Sequence, residues 1–184
     1  MNPSEDLLAE HEGVMRVLDI LEKICNQFPA SPSLPLAHLE SILEFLKVFV
    51  DKCHHGKEED FLFPALSVVG TASQVDIIDH LLKEHARGRS LVGAMADAKE
   101  RLNTAPDAAG EELTPSALSY IELMRHHIKS ENEKLFPLID GLLTKNQQAW
   151  LLEQFEQVES QRIGAGTHEA FHKMIHDLSH VYLA

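Results

Sequence analysis

The chain has 184 residues, of which 44% are hydrophobic and 24% charged, so it can bury a core and has an ordinary globular composition. Its 16 basic and 29 acidic residues give a net charge of −13, which argues against a nucleic-acid partner and against an anionic membrane surface. No apolar run approaches the roughly 18 residues that a membrane span needs. The acidic N-terminus shows no signal peptide, and Cys25 and Cys53 offer no disulfide framework, so we expect a cytoplasmic protein.

The periodicity of the apolar residues predicts helices along almost the whole chain. These residues recur at intervals of three and four, and no segment sustains the alternation that is typical of a strand. A turn with three prolines at 27–35 follows the first helix, Thr71 or Ser73 caps the third, and Pro115 begins the fourth. The predicted helices cover residues 4–26, 35–67, 73–102, 115–139, 144–162 and 167–182.

Four long helices with short connections are typical of an antiparallel, up-down-up-down four-helix bundle. We therefore predict an all-α fold in two parts. Residues 1–142 would form the bundle, and residues 143–184 would form a C-terminal helical appendage packed on it.

The chain repeats itself around its histidines, of which there are 12. Leu-Leu-x-Glu-His occurs in the first and third helices, and His-x-x-x-Glu followed by Leu-Phe or Phe-Leu-Phe and proline occurs in the second and fourth. The interval from the first histidine to the second and the interval from the third to the fourth differ by a single residue. The six repeated residues are His11, His54, Glu58, His85, His127 and Glu131.

The repeated residues lie on helix faces that are otherwise apolar, because residues four apart share one face of a helix. A buried carboxylate without a partner costs several kcal/mol, and a cation would remove that cost. Four histidines and two bridging carboxylates give about eight donor atoms, which suits two metals with positions left for solvent and an exogenous ligand. Mixed imidazole and carboxylate donors suit iron or manganese better than a structural zinc site. Iron is the first choice, and manganese or zinc is less favoured.

The order His, His-x-x-x-Glu, His, His-x-x-x-Glu resembles the hemerythrin-like HHE cation-binding family over about residues 5–140. The resemblance implies an oxo- or hydroxo-bridged di-iron centre, held by the six repeated residues, that meets O2, peroxide or nitric oxide. Oxygen-carrying hemerythrins have a second histidine where this chain has Arg89, and their last pair is His-x-x-x-x-Asp. The pattern is therefore nearer to the family members proposed as sensors of iron, oxygen or redox state, or as peroxide-consuming enzymes.

These observations predict a non-haem di-iron protein that binds or senses O2, nitric oxide or iron. The alternative is a catalase-like, peroxide-consuming enzyme or an O2-reducing enzyme, for which the sequence assigns no catalytic residue. A small diatomic molecule or peroxide is the expected ligand, no cofactor is expected beyond the metal, and a protein partner stays open.

Three further residues are candidates for an additional ligand or for contact with a bound species. His168 follows the glycine-containing segment 164–166 and could swing over the site, and Glu159 could do the same. The alternative for His168 is a solvated stripe, because histidines recur every four residues up to His180. Tyr120 shares a face with His127 and is either a donor to a bound oxygen species or a core tyrosine.

Two neighbours of the repeated residues receive weaker assignments. His55 is about 100° around the helix from His54 and is expected at the rim of the site or behind its ligands. Glu59 is expected to be solvated, with entry into the site as the alternative.

Overall fold

A computed structural model describes residues 2–27, 36–102, 104–164 and 166–184. No strand occurs within these ranges, so the prediction of an all-α fold is confirmed. The proline-rich connection at 28–35, Asn103 and Ala165 lie outside them. The described helices are α1 (Pro3–Gln27), α2 (residues 36–69), α3 (Ala72–Arg101), α4 (residues 106–142), α5 (residues 145–163) and α6 (Thr167–Tyr182).

Side-chain contacts near both ends show that α1 and α4 are antiparallel. Ser4 Oγ donates to Asp140 Oδ1 at 2.8 Å, whereas Arg125 pairs with Glu22 at 2.9 Å. Similar contacts join α2 to α3 and α3 to α4. The first four helices therefore alternate in direction around a bundle.

Three segments of the bundle helices have the wider turns of a π-helix. Leu46–His55 and Glu58–Leu62 lie within α2, and Glu131–Leu135 lies within α4. These segments contain three of the six repeated residues, which are His54, Glu58 and Glu131. π-Helical turns are frequent at functional sites because they redirect side chains that a regular helix would point elsewhere.

The start of α4 corrects one sequence prediction. The helix begins at Pro106, and Pro115 lies inside it. Proline suits a first helical position because the N–H it lacks would have no partner there, and the chain applies this at Pro106. Burial of Ala109, Leu113 and Ala117, which recur every four residues, places this first part of α4 in the core despite the internal proline.

The apolar core forms two layers, and the repeated polar residues lie between them. One layer contains Val14 from α1 and Val92 from α3, and the other contains Leu7 and Leu81 from the same two helices. His11 follows Leu7 and precedes Val14, so it lies where the layers meet. This arrangement surrounds the site with side chains that exclude bulk water.

The C-terminal helices also contribute to these layers. Leu151 and Phe155 of α5 join one layer, and Leu178 of α6 joins the other. Gly164 and Gly166, between α5 and α6, have positive φ values of 81° and 85°, which L side chains rarely adopt. The division of the chain at residue 142 stays a prediction. Among the described helices, none is both long and apolar enough to cross a membrane.

Candidate metal centre

The four repeated histidines meet inside the bundle as two pairs. His11 Nε2 and His54 Nε2 are 3.0 Å apart, and we call these residues the first histidine pair. His85 Nε2 and His127 Nε2 are 3.1 Å apart and form the second histidine pair. All four side chains are buried. The Nε2 atoms of each pair therefore converge on one point between two helices.

The two repeated glutamates connect the histidine pairs. Each oxygen of Glu131 lies 3.2 Å from an Nε2 atom, one in the first pair and one in the second. The oxygens of Glu58 lie 3.7 Å from an Nε2 of the first pair and 3.5 Å from one of the second. Each carboxylate thus has one oxygen toward each pair, which is the geometry of a bridging ligand.

The outer nitrogen, Nδ1, of every histidine in both pairs has a hydrogen-bond partner. Such a partner fixes the ring orientation and leaves Nε2 free to bind a metal. Two of the partners are the glutamates in the Leu-Leu-x-Glu-His repeat, and the other two directly follow the repeated glutamates of α2 and α4. The contacts are His54–Glu10 (2.7 Å), His127–Glu84 (2.9 Å), His85–Glu59 (2.7 Å) and His11–Asn132 (2.8 Å).

These partners correct and extend the sequence prediction. Glu59 is not a purely solvated residue, because it accepts from His85 and also pairs with Arg89. The glutamates directly before His11 and His85 are part of the Leu-Leu-x-Glu-His repeat. The sequence pattern did not predict that they accept hydrogen bonds from the other histidine of each pair. Among these four partners the two halves of the repeat differ once, because Glu59 corresponds to the neutral Asn132.

The charges in the site are strongly coupled. Burial and the charge of Glu131 hold the pKa of Glu58 well above its usual value. Burial also disfavours ionised Glu131, but His127 and His11 outweigh that effect and hold its pKa well below the usual value. Burial disfavours a charged His127, yet Glu131 and Glu84 raise its pKa to about 9. At neutral pH a proton therefore sits where a metal would bind.

The unpartnered polar atoms indicate that the site fits metal ions. Both oxygens of Glu58 and of Glu131 are buried and accept no hydrogen bond within the described residues. Polar atoms in that state are costly unless a ligand compensates them. At the histidine pairs, two groups of residues have donor atoms within 4.8 Å of one another, and Glu58 belongs to both. The groups are His11, His54, Glu58 and Glu131, and His55, Glu58, His85 and His127.

His55 lies in the site and not at its rim. Its side chain is buried, and its ring stacks on that of His85 with the centroids 3.8 Å apart. Burial, together with the neighbouring histidines, holds the pKa of His55 well below its usual value, so the ring is neutral. His55 directly follows His54, so a regular α-helix would turn its side chain away from the site. The π-helical segment Leu46–His55 instead brings it in.

Tyr120 and Arg89 lie beside a small cavity next to His55. The cavity has a volume of about 130 Å³, and Asp51 also lines it. Tyr120 is buried, and burial raises its pKa. Its role as a donor to a bound oxygen species stays a prediction. Arg89 Nε donates to Asp51 at 2.6 Å. Both side chains are partly exposed, so the guanidinium lies toward the surface.

The two candidates from the C-terminal region lie apart from the histidine pairs. His168 contacts Phe49, with ring centroids 5.6 Å apart, and lines a cavity of about 240 Å³ with Glu10. Glu159 accepts a hydrogen bond from Lys57 Nζ at 2.6 Å, and Lys57 also donates to Glu10. Neither candidate belongs to the two donor groups at the histidine pairs. Glu159 belongs to a separate acidic group whose three carboxylates all contact Lys57, and a ligand role for either candidate stays a prediction.

Metal binding at pH 7 should release at least one proton per chain. His127 has a raised pKa of about 9, and its proton must leave before Nε2 can bind a cation. The apparent affinity should therefore increase as the pH rises toward 9, by about tenfold per pH unit for each proton released. Anaerobic calorimetric titrations with Fe(II), in buffers of different ionisation enthalpy, would measure the release. A binding heat that is independent of the buffer would contradict it.

Comparison with known proteins agrees with this geometry. The model of the family described as hemerythrin HHE cation binding domain matches residues 2–139. Uncharacterized proteins of Mycobacterium bovis and Mycobacterium tuberculosis are 26% identical over 160 residues, which is 87% of this chain. The chain spans 62% of the length of these relatives. No solved structure matches significantly. The family match and the two donor groups identify a metal-binding protein. The chain belongs to the hemerythrin HHE cation-binding domain family.

Proposed function

We propose that the chain binds two iron ions, one beside each histidine pair, and that the protein binds or senses O2, nitric oxide or iron through this centre. The observation that carries the proposal is the position of Glu58 and Glu131, each with one oxygen toward each histidine pair. Two cations bridged in this way would compensate four buried carboxylate oxygens at once.

The donor types favour iron. At each histidine pair, two imidazole nitrogens face one oxygen of Glu58 and one oxygen of Glu131. Mixed donor sets of this kind suit iron better than a closed structural zinc site. The glutamates behind three of the imidazoles increase their basicity and so strengthen their bonds to a cation.

The protein around the site controls what reaches it. The two apolar layers limit the entry of bulk water, and the hydrogen bonds to Nδ1 hold the imidazoles in place. Iron bound there would supply redox chemistry and open coordination positions for a small ligand.

Protein expressed with added iron should contain about two iron ions per chain, as the two donor groups predict. Its optical spectrum should change reversibly when O2 or nitric oxide is added and then removed. Elemental analysis and absorption spectroscopy would measure both, with zinc-loaded protein as a spectroscopically silent control. Iron well below two per chain would contradict the di-iron proposal. Rapid release of O2 from added peroxide would instead support the catalase-like alternative.

A further inference from the structure

His55 has a buried side chain whose two ring nitrogens have no hydrogen-bond partner among the described residues. It is 2% exposed, and neither Nδ1 nor Nε2 makes a hydrogen bond within the described residues. The nearest carboxylate oxygen, on Asp51, is 3.6 Å from Nδ1, which is too far for a hydrogen bond. The other unpartnered buried side-chain atoms found in the described chain belong to Glu58 and Glu131, so all of them lie at the metal centre.

The position of His55 gives the second histidine pair a third imidazole. Its ring stacks on His85 at an interplanar angle of 16° and meets His127 edge-on, with centroids 5.8 Å apart. One donor atom of His55 lies within 4.8 Å of donor atoms of Glu58 and of both histidines of the second pair.

Among the described residues, no third imidazole lies beside the first histidine pair. In the internal repeat His54 corresponds to His127, so His55 corresponds to Ile128. Ile128 is buried in an apolar layer and carries no donor atom in its side chain. The repeat therefore relates Glu58 to Glu131. The two histidine pairs differ in their surroundings, because a third imidazole lies beside the second pair where the repeat has an isoleucine beside the first.

We propose that His55 is a seventh protein ligand, bound to the metal at the second histidine pair. This inference rests on the proposed function. It assigns three imidazoles to one metal and two to the other. His55 also lines the cavity of about 130 Å³, so its ring separates that cavity from the second metal.

The test compares wild-type protein with His55→Ala and His126→Ala, each loaded anaerobically with iron-57. His126 is the matched control because it also adjoins a repeated histidine, but its side chain is 65% exposed. Mössbauer spectra of wild-type protein and of His126→Ala should show two iron environments in equal amounts. In His55→Ala one environment should change, and its iron should bind at least about tenfold more weakly.

Added imidazole should restore the wild-type spectrum of His55→Ala, because the adjacent cavity can admit it. Circular dichroism checks folding, and His55→Phe, which fills the same volume without a donor atom, replaces His55→Ala if that variant does not fold. Two irons with unchanged affinity and spectrum in either folded variant would overturn the role of His55 while leaving the proposed function intact. Wild-type protein that holds fewer than two irons would contradict the proposed function itself.

Discussion

The double variant Glu58→Gln, Glu131→Gln should lose metal binding and, with it, the stabilisation of the fold by iron. Both side chains are fully buried and connect the two histidine pairs, so neither metal would keep a bridging carboxylate. Ligand binding stabilises a native protein by about 4 kcal/mol when the free ligand is a thousandfold above its Kd. Wild-type protein should gain stability of this order with iron, and the variant should gain almost none.

The same variant should remain folded without metal. Glutamine has the shape of glutamate, and its amide can donate a hydrogen bond to a neighbouring imidazole nitrogen. It also removes two carboxylates that are buried without hydrogen-bond partners. Loss of the contact between Glu131 and His127 acts in the opposite direction. The free energy of unfolding of the metal-free variant should therefore stay close to that of the metal-free wild type.

Thermal unfolding with and without anaerobic Fe(II), together with elemental analysis, would test both expectations. Glu133→Gln is the matched control because Glu133 lies in the same π-helical segment but is 61% exposed. Retention of two metals by the double variant would rule out the bridging assignment. Collapse of the metal-free variant would show that the carboxylates stabilise the fold in some other way.

Helical periodicity was enough to predict the bundle, and the internal repeat was enough to predict that six polar side chains converge inside it. Helical periodicity places His54 with Glu58 and His127 with Glu131, and the repeat relates the two halves. What it could not predict is which further residues surround them. The contacts of Glu10 and Glu84 join different helices, so helical periodicity within one segment carries no information about them.

His55 and the start of α4 show two other limits. A regular α-helix advances by about 100° per residue and would turn His55 away from the site, but the π-helical segment Leu46–His55 alters that rotation. No residue pattern marked this segment. For the start of α4, both Pro106 and Pro115 suit a first helical position. The helix begins at Pro106 because it buries Ala109 and Leu113, and this burial is visible only in the structure.

Replacement of Lys57 by methionine should cause the largest loss of stability of any single substitution predicted for this chain. The Lys57 side chain is fully buried, and its ammonium donates to three carboxylates. The distances are 2.9 Å to Asp6, 2.8 Å to Glu10 and 2.6 Å to Glu159. All three ammonium protons are therefore used, and the carboxylates hold the pKa of Lys57 above its usual value despite burial.

Methionine fits the volume of the lysine stem but leaves the three carboxylates without a cation. Removal of one member of a buried ion pair typically costs about 3–5 kcal/mol, because the remaining charge is uncompensated. In a chain of this size, that corresponds to a decrease in the melting temperature of about 10 °C. Lys173→Met is the control, because Lys173 pairs with Asp177 at the surface and should contribute less than about 1 kcal/mol.

The pH dependence distinguishes this mechanism from a simple loss of packing. In the wild type, burial would raise the pKa of Glu10, but His54 and Lys57 lower it to about 2. Its contribution to stability is therefore present above the unfolded pKa of 4.5 and is lost as the pH falls toward 2. Without Lys57, the carboxylates should bind protons at higher pH, which relieves their repulsion.

The difference in the free energy of unfolding between wild type and Lys57→Met should therefore be large at pH 7 and smaller at pH 5. Chemical denaturation at the two pH values would measure it. An equal difference at both pH values would assign the effect to packing against Phe155, whose ring lies 5.3 Å from Nζ.

Because Glu10 also accepts from His54 Nδ1, the loss of Lys57 should weaken iron binding at the first histidine pair as well. The buried ammonium thus connects Glu159 of α5, through Glu10, to one end of the metal centre.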